Sequence, residues 1–553
     1  VEIVQRWVGT FAVLAAVLGL DLPDVRAQER FDVVVYGATP GGITAAIAAA
    51  REKATVVLIE PSKHVGGMTT GGLSRTDVGK AQVIGGLALE FFERAAKLYN
   101  DPTRLKGNEK FYSEPHVAER AFNDMLEEAG VTVVLGERLD RKGGVKKSQG
   151  RIASIRTLGG RTFAGGAFID ATYEGDLMAA AGVEYIVGRE SHAQYGEPLA
   201  GYYPMPIRPW PPEVMASVCS CVGGDGKHYV HGTPTAISAL DSAGRPLFGV
   251  ERPPTTLKPG DADDRTQSYN FRIVVTRDPQ NRVAFPLPEG YDPAKYELLL
   301  RLVQAYPEVR FARLFHLGPV PNNKFDLNAQ GLFSTDYPGA NTAYPDGDDA
   351  TRERIWQDHQ DFIQGMLWFV SHDKRLPQRL RDEANEWGLC RDEFTDNEHW
   401  PYQLYVRAAR RMIGPYVLVQ MDCQEDVTKP DSIAMGSFII DCHIVRRIVT
   451  EDGAVADEGS FPDSPVKPYQ IPYRSIVPKP EQCTNLLVPV CISASHVAYC
   501  SIRMEPQYMM MGHAAGLAAA EAARSNRTVQ AIDVETLRAK LREQKAVLAL
   551  PNK

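Results

Sequence analysis

Residues 31–42 read Phe-Asp-Val-Val-Val-Tyr-Gly-Ala-Thr-Pro-Gly-Gly, and residues 55–60 read Thr-Val-Val-Leu-Ile-Glu. The run from Phe31 to Tyr36 is apolar and β-branched, too short for a helix and suited to a parallel strand buried on both faces. Ile43 to Arg51 is alanine-rich and favours a helix. Thr55 to Glu60 is a second buried strand, so the pieces form a βαβ unit whose turn carries a dinucleotide fingerprint. Gly37 permits the tight turn and Gly42 lets helix and strand approach. The helix N-terminus stabilises a pyrophosphate through its dipole, and Glu60, eighteen residues beyond Gly42, is placed to accept ribose hydroxyls. Thr39 stands where the fingerprint has its middle glycine. Beyond Pro40, Gly41 is expected to take over the close approach to the phosphates.

Working outward, Val131–Leu135, Ile152–Thr157 and Phe163–Ile169 read as further strands, the last two joined at Leu158-Gly159-Gly160. From Gly201 to Gln482 the βαβ rhythm is lost and prolines cluster, as in residues 204–212. Helical spacing is confined there to Tyr296–Tyr306 and Ala350–His372, and strand character returns at Ile471–Val477 and Leu486–Ile492. Gly512 to Ala520 is another small-residue helix in the style of the first segment. The fold class is therefore α/β: a discontinuous Rossmann-like domain built from residues 28–200 and 483–530, an inserted α+β substrate domain over 201–482, and a helical tail over 531–553. A chain of 553 residues agrees, since single hydrophobic cores stop growing at about 250–300 residues.

Apolar content of 44% and charged content of 24% describe an ordinary globular protein. A net charge of −8 offers no basic surface for nucleic acid, so a small-molecule partner is expected. Residues 1–27 have signal-peptide form: Arg6, an apolar run of fourteen residues from Trp7 to Leu20, and small residues at Val25 and Ala27 before Gln28. The run is shorter than the ~20 residues of a membrane span. A periplasmic or secreted chain without a transmembrane segment is expected. Eight cysteines permit disulfides without specifying pairs. Cys219-Ser220-Cys221 lacks the spacing of a zinc site, and no metal is expected.

A second glycine-rich loop follows Glu60, with Gly66-Gly67-Met68 at its centre, and would let backbone approach an extended cofactor. Asp170-Ala171-Thr172-Tyr173-Glu174-Gly175-Asp176, Gly188-Arg189-Glu190, Ser268-Tyr269-Asn270-Phe271-Arg272, Asn323-Lys324-Phe325-Asp326, Tyr405-Val406-Arg407 and Ile502-Arg503-Met504-Glu505-Pro506 follow along the chain. Together these segments resemble a bacterial FAD-dependent oxidoreductase family, often mislabelled xanthan lyase and distantly similar to fumarate-reductase-type flavoproteins. The resemblance covers nearly the whole chain beyond Gln28. It implies FAD as cofactor, with Gly37, Thr39, Pro40, Gly41, Gly42, Glu60, Gly66, Gly67 and Met68 touching it and Asp170 and Asp176 nearby. Gly512 would open a helix whose N-terminus faces the flavin and stabilises negative charge on it.

Oxidation of a small organic substrate by hydride transfer to flavin needs a base for the departing proton. Oxygen, a quinone or a protein carrier then takes the electrons. His496, just before the C-terminal helix, is the first candidate for the base, and Tyr499 is a second. Arg503 is positioned to orient an anionic substrate or to pair with Glu505. Arg407, Arg410 and Arg411 are expected on a helix, where two of them share a face, either as a solvated basic face or as a bidentate grip on a carboxylate. His64 is either a flavin attachment point or an ordinary loop histidine. Asn270 and Arg272 line the pocket or face solvent, and Trp356, Phe362, Trp368 and Phe369 read as helix core. A redox-neutral lyase or isomerase acting on carbohydrate, and a non-catalytic binding protein, are compatible with the same fold. The purified chain from Gln28 onward should show the visible absorption bands of oxidised flavin. A colourless protein that FAD cannot reconstitute would return the Gly37–Glu60 unit to NAD or another nucleotide.

Overall fold

The computed structural model describes residues 28–203, 237–329, 333–425, 427–460 and 464–550. The leader reading over 1–27, the proline cluster at 204–212 and the Cys219–Cys221 pair lie outside these residues. The βαβ unit forms as the sequence pattern requires. Strand β1 (Glu29–Tyr36) leads through the glycine turn into helix α1 (Pro40–Arg51) and on to β2 (Val56–Glu60), and Val33, Val34 and Val35 are buried on both faces of the sheet. β3 (Thr132–Leu135), β4 (Val145–Ser148), β5 (Arg151–Arg156) and β6 (Thr162–Asp170) complete the order β3-β2-β1-β6-β5-β4. β1 pairs in parallel with β2 and β6, and β5 returns against β6 as the expected hairpin.

A separate antiparallel sheet follows. It contains β7 (Ile273–Thr276), β8 (Arg282–Val283), β9 (His316–Val320), β10 (Lys324–Asn328) and β11 (Gly388–Cys390), in the order β9-β10-β7-β11-β8. Its long helix α2 (Asp349–His372) is opened by the Asp348 carboxylate, which accepts from the Thr351 N–H. Phe362 and Phe369 are core on this helix, as the spacing indicates. The chain then rejoins the first sheet: β12 (Leu486–Leu487) pairs in parallel with Phe168–Ile169 of β6, so the nucleotide-binding sheet is discontinuous in sequence. The expected strand over Leu486–Ile492 is cut to these two residues, and that over Ile471–Val477 becomes Tyr469–Pro472 followed by a 3₁₀ turn.

A short helix α3 (His496–Ile502) and a long helix α4 (Glu505–Ser525) follow, and a helix over Val534–Glu543 comes after them. Helix α4 opens at Glu505, seven residues before Gly512, which corrects the expectation that Gly512 begins it. Gly512 instead sits where α4 crosses α1. A Cβ there would lie 2.0 Å from the Gly41 carbonyl oxygen, and one on Gly516 would lie 2.1 Å from that of Ala45. Thr44 Oγ1 donates to the Met509 carbonyl at 2.8 Å across the same contact. The small-residue pattern encodes two helices in backbone contact, not a helix end.

Arg407 and Arg410 lie in irregular chain and Arg411 in a two-residue strand paired with Tyr185–Ile186, so the expected arginine helix is absent. All three side chains are buried. The six described cysteines are free, buried thiols. Among the described residues no helix is long and apolar enough to cross a membrane. Gly512→Ala gains up to about 1 kcal/mol of helix propensity, but the Cβ must displace backbone. Net destabilisation of about 1–3 kcal/mol in urea melts is expected, with lower flavin occupancy.

Candidate functional site

The β1–α1 turn is built against the end of β6. Gly37 has φ +98°, and a Cβ on it would stand 2.8 Å from the Thr172 nitrogen. Thr39 occupies the middle-glycine position as the cap of α1: its hydroxyl accepts from the Gly42 N–H at 3.2 Å and donates to the Ala171 carbonyl at 2.7 Å. Pro40 follows at the first helical position, where no N–H is needed. A Cβ on Gly41 would meet the Tyr508 carbonyl at 3.0 Å, so glycine at this position admits helix α4. At the end of β2, Glu60 accepts from the Ala38 N–H (2.7 Å) and the Ser62 N–H (2.8 Å), and burial raises its carboxyl above the ordinary range.

Asp170 and Asp176 serve the fold. Asp170 accepts from the Thr172 N–H and hydroxyl and the Met178 N–H, and burial pushes it up to about 6. Asp176 receives Arg352 of α2 bidentately (2.7 and 2.9 Å), together with Arg410 (2.9 Å) and Arg141 (3.5 Å). Burial works to raise Asp176, but Arg352, then Arg141 and Arg410, outweigh it and hold the carboxyl at about 2. His64 is held by Glu119 (3.0 Å) and Asp396 (3.1 Å) through its two ring nitrogens and stacks on Tyr402, so neither nitrogen is directed at a flavin.

The second glycine loop, β6 and α4 meet at one hydroxyl. The Met68 N–H donates to Tyr173 Oη (2.9 Å), and Tyr173 donates to Glu505 Oε1 (2.6 Å) on the first turn of α4. Burial pushes Glu505 up to about 8. With Oε1 already accepting, its proton sits on Oε2, which has no hydrogen-bond partner among the described residues. Thr69 Oγ1 and both amide atoms of Gln507 share that condition.

Helix α3 presents the catalytic candidates. Ser495 caps it and hydrogen-bonds Glu197 (2.6 Å), and the His496 N–H donates to Glu190 at 2.9 Å. The His496 ring is buried, and its Nε2 has no partner among the described residues. Burial, then the guanidiniums of Arg411, Arg189 and Arg503, hold it neutral far below the ordinary histidine range. The Tyr499 hydroxyl donates to the Val490 carbonyl (3.1 Å) and bonds Tyr508 (2.8 Å), which gives it a bracing role between α3 and α4. Arg503 pairs with Asp441 at 3.0 Å, not with Glu505.

Around Arg503 the inserted part contributes a polar wall. The Arg407 and Arg272 guanidiniums lie 5.0 and 5.8 Å from the centre of the Tyr405 ring. Arg407 pairs with Asp336 (2.9 Å) and Arg272 with Asp326 (2.8 Å), so the expected solvated basic face is replaced by buried ion pairs. Arg410 and Arg411 are likewise paired, with Asp176 and Glu190. Asn270 is buried here too, its Oδ1 without a partner.

Buried polar groups in folded proteins nearly always have partners, and a local group of exceptions marks a place where something else binds. Glu505 and Gln507 share the opening turn of α4, and Tyr173 ties Glu505 to Met68, the neighbour of Thr69; donors and acceptors of these types suit the N–H and carbonyl edge of a flavin ring. The sequence reading took Glu505 only as a partner for Arg503 and did not single out Gln507. The available signal was Glu505-Pro506, a helix-opening pair with proline at an initial helical position, just before the small-residue helix.

Fold and site together define an α/β protein of the dinucleotide-binding, flavoprotein class, its parallel sheet discontinuous in sequence. The chain belongs to the FAD dependent oxidoreductase family, which matches residues 32–541. No curated protein matches the chain. Similar solved structures include L-proline dehydrogenase from P. horikoshii, 16% identical with TM-score 0.22, covering 30% of this chain and 59% of that one. THI4 from Thermovibrio ammonificans is 19% identical with TM-score 0.23, over 34% of this chain and 74% of that one. OxyS anhydrotetracycline hydroxylase from Streptomyces rimosus is 13% identical with TM-score 0.21, over 30% of this chain and 36% of that one.

The folded chain holds the Glu505 proton up to about 8, whereas the unfolded chain releases it in the ordinary carboxylate range. Stability is therefore greatest below that range and is lost as pH rises through about 8. Glu505→Gln should remove roughly 2–3 kcal/mol of the loss between about pH 6 and about pH 9, read from denaturant melts at each pH.

Proposed function

We propose that the chain oxidises a small, polar organic substrate by hydride transfer to FAD, and that His496 accepts the departing proton. The observation that carries this reading is the buried His496 imidazole with an unpartnered Nε2, held by α3 immediately before the opening turn of α4. FAD, when bound, supplies the two-electron acceptor. The turn at Gly37 and the N-terminus of α1 would hold its pyrophosphate, Glu60 its ribose, and Gly66–Thr69 with Gln507 its ring.

The environments of His496 and Glu505 push the two groups apart, which separates their roles. A neutral imidazole takes up a proton. A protonated carboxyl with a free Oε2 donates a hydrogen bond and stabilises charge that develops on an acceptor atom. Tyr173 keeps that carboxyl in place by bonding its other oxygen. Arg272, Arg407 and Arg503 are each matched by an aspartate, so they orient a substrate by directional hydrogen bonds more than by surplus charge.

His496→Gln should slow anaerobic reduction of the flavin by substrate by roughly 10²–10⁴-fold, with the absorption spectrum of the oxidised protein retained. An unchanged reduction rate would remove His496 from proton transfer. Turnover without any bleaching of the flavin would favour the redox-neutral lyase or isomerase.

A further inference from the structure

His496 and Cys500 lie four residues apart on α3, so their side chains share one face, one turn apart. Histidine pairs of the same spacing hold zinc on helices of metalloproteases. Cys442 faces this pair from a segment 54 residues upstream of His496 in the sequence. The imidazole and the two thiols place their ligand atoms all within 4.8 Å of one another, and all three side chains are buried. We propose that Cys442, His496 and Cys500 form a three-ligand site for one divalent cation of zinc type, and that its occupancy holds His496 out of proton transfer. The second clause rests on the function proposed above. The first does not.

Tetrahedral zinc, with bonds of about 2.0 Å to nitrogen and 2.3 Å to sulfur, sets its ligand atoms roughly 3.5–3.8 Å apart. A closure of about one ångström completes the triangle and leaves a fourth position open. Two thiols and an imidazole are a borderline-soft donor set, which selects zinc over calcium or magnesium. Two thiolates neutralise a divalent ion, so the loaded site adds no net charge to a buried region. The neighbouring arginines are already matched, Arg503 by Asp441, Arg411 by Glu190 and Arg189 by Asp263 and Glu458. Gln267 Nε2 donates to Cys500 Sγ at 3.4 Å, an outer hydrogen bond that orients a ligating thiolate. A metal would engage the imidazole together with both thiols, whereas a Cys442–Cys500 disulfide needs no histidine. The other compact group of this kind, Glu114, His116 and Glu393, already encloses the Lys324 ammonium, 2.6 Å from each glutamate, and has no room for a cation.

The test loads the flavin-containing full chain with Zn²⁺, dialyses it against metal-free buffer and measures retained metal. Cd²⁺ serves as a second probe through its thiolate charge-transfer absorption. About one equivalent of zinc per chain is expected, with a cadmium signal equal to two thiolates per ion. Cys442→Ser and Cys500→Ser should each weaken binding at least about 100-fold, and Cys390→Ser, in the separate sheet, should leave it unchanged. No retained zinc, binding unaffected by both substitutions, or a Cys442–Cys500 disulfide in the unfolded native chain would overturn the site. The cadmium signal of the unsubstituted chain decides the matter if the serine variants do not fold. Zinc that slows flavin reduction in the native chain but not in Cys500→Ser supports the second clause. Retained zinc with an unchanged reduction rate overturns that clause and the assignment of His496 as proton acceptor, and leaves the metal site standing.

Discussion

Helices α1 and α4 touch backbone to backbone, and the placement of the functional groups depends on that contact. Glycine at 41, 512 and 516 and alanine at 45 leave no bulky side chain between the helices, and Thr44 hydrogen-bonds across, so the crossing is set largely by main-chain van der Waals surfaces. Such a contact has little freedom to slide. It fixes the opening turn of α4 beside the β1–α1 turn, which is where the two ends of a dinucleotide site must be held relative to each other. Tyr173 then reads the result: one hydroxyl reaches both the Met68 N–H and Glu505 only because the loop, β6 and α4 are already in register.

The buried charges divide into two populations. Asp176 gathers Arg352, Arg410 and Arg141, Arg189 binds Asp263 and Glu458, and Lys324 binds Glu114 and Glu393. Such networks add little net stability, but breaking one leaves an uncompensated buried charge, worth about 3–5 kcal/mol. They therefore fix how the inserted part sits on the nucleotide-binding sheet. Glu505 and His496 form the second population. Neither has an opposite charge in contact, and desolvation moves both away from their ordinary protonation, the carboxyl towards neutral acid and the histidine towards neutral base. The chemistry proposed for this chain falls where the pairing rule is left unfulfilled.

Local signals determined a large part of this protein. The apolar run at Phe31–Tyr36, the glycine turn, the alanine-rich helix and Glu60 specify a βαβ unit because period, turn conformation and helix propensity are properties of neighbouring residues. The long helix from Asp349 and the hairpin through Leu158-Gly159-Gly160 were legible for the same reason, and so was the return of the C-terminal segment to the first sheet.

Tertiary structure decided what depends on residues distant in sequence. Arg407, Arg410 and Arg411 look like a helical basic face until Asp336, Asp176 and Glu190 arrive from elsewhere and bury them as ion pairs. Gly512 looks like a helix start until α1 is laid against it. Arg503 and Glu505 look like partners two residues apart, yet Asp441 takes the arginine and Tyr173 takes the glutamate. The protonation of Glu505 and the meeting of His496 with two thiols follow from burial and approach. The sequence by itself determined the nucleotide-binding unit, through the local backbone and propensity effects that build it. The groups that handle charge and protons were decided only by the tertiary structure, because desolvation and pairing are set by which distant residues come into contact.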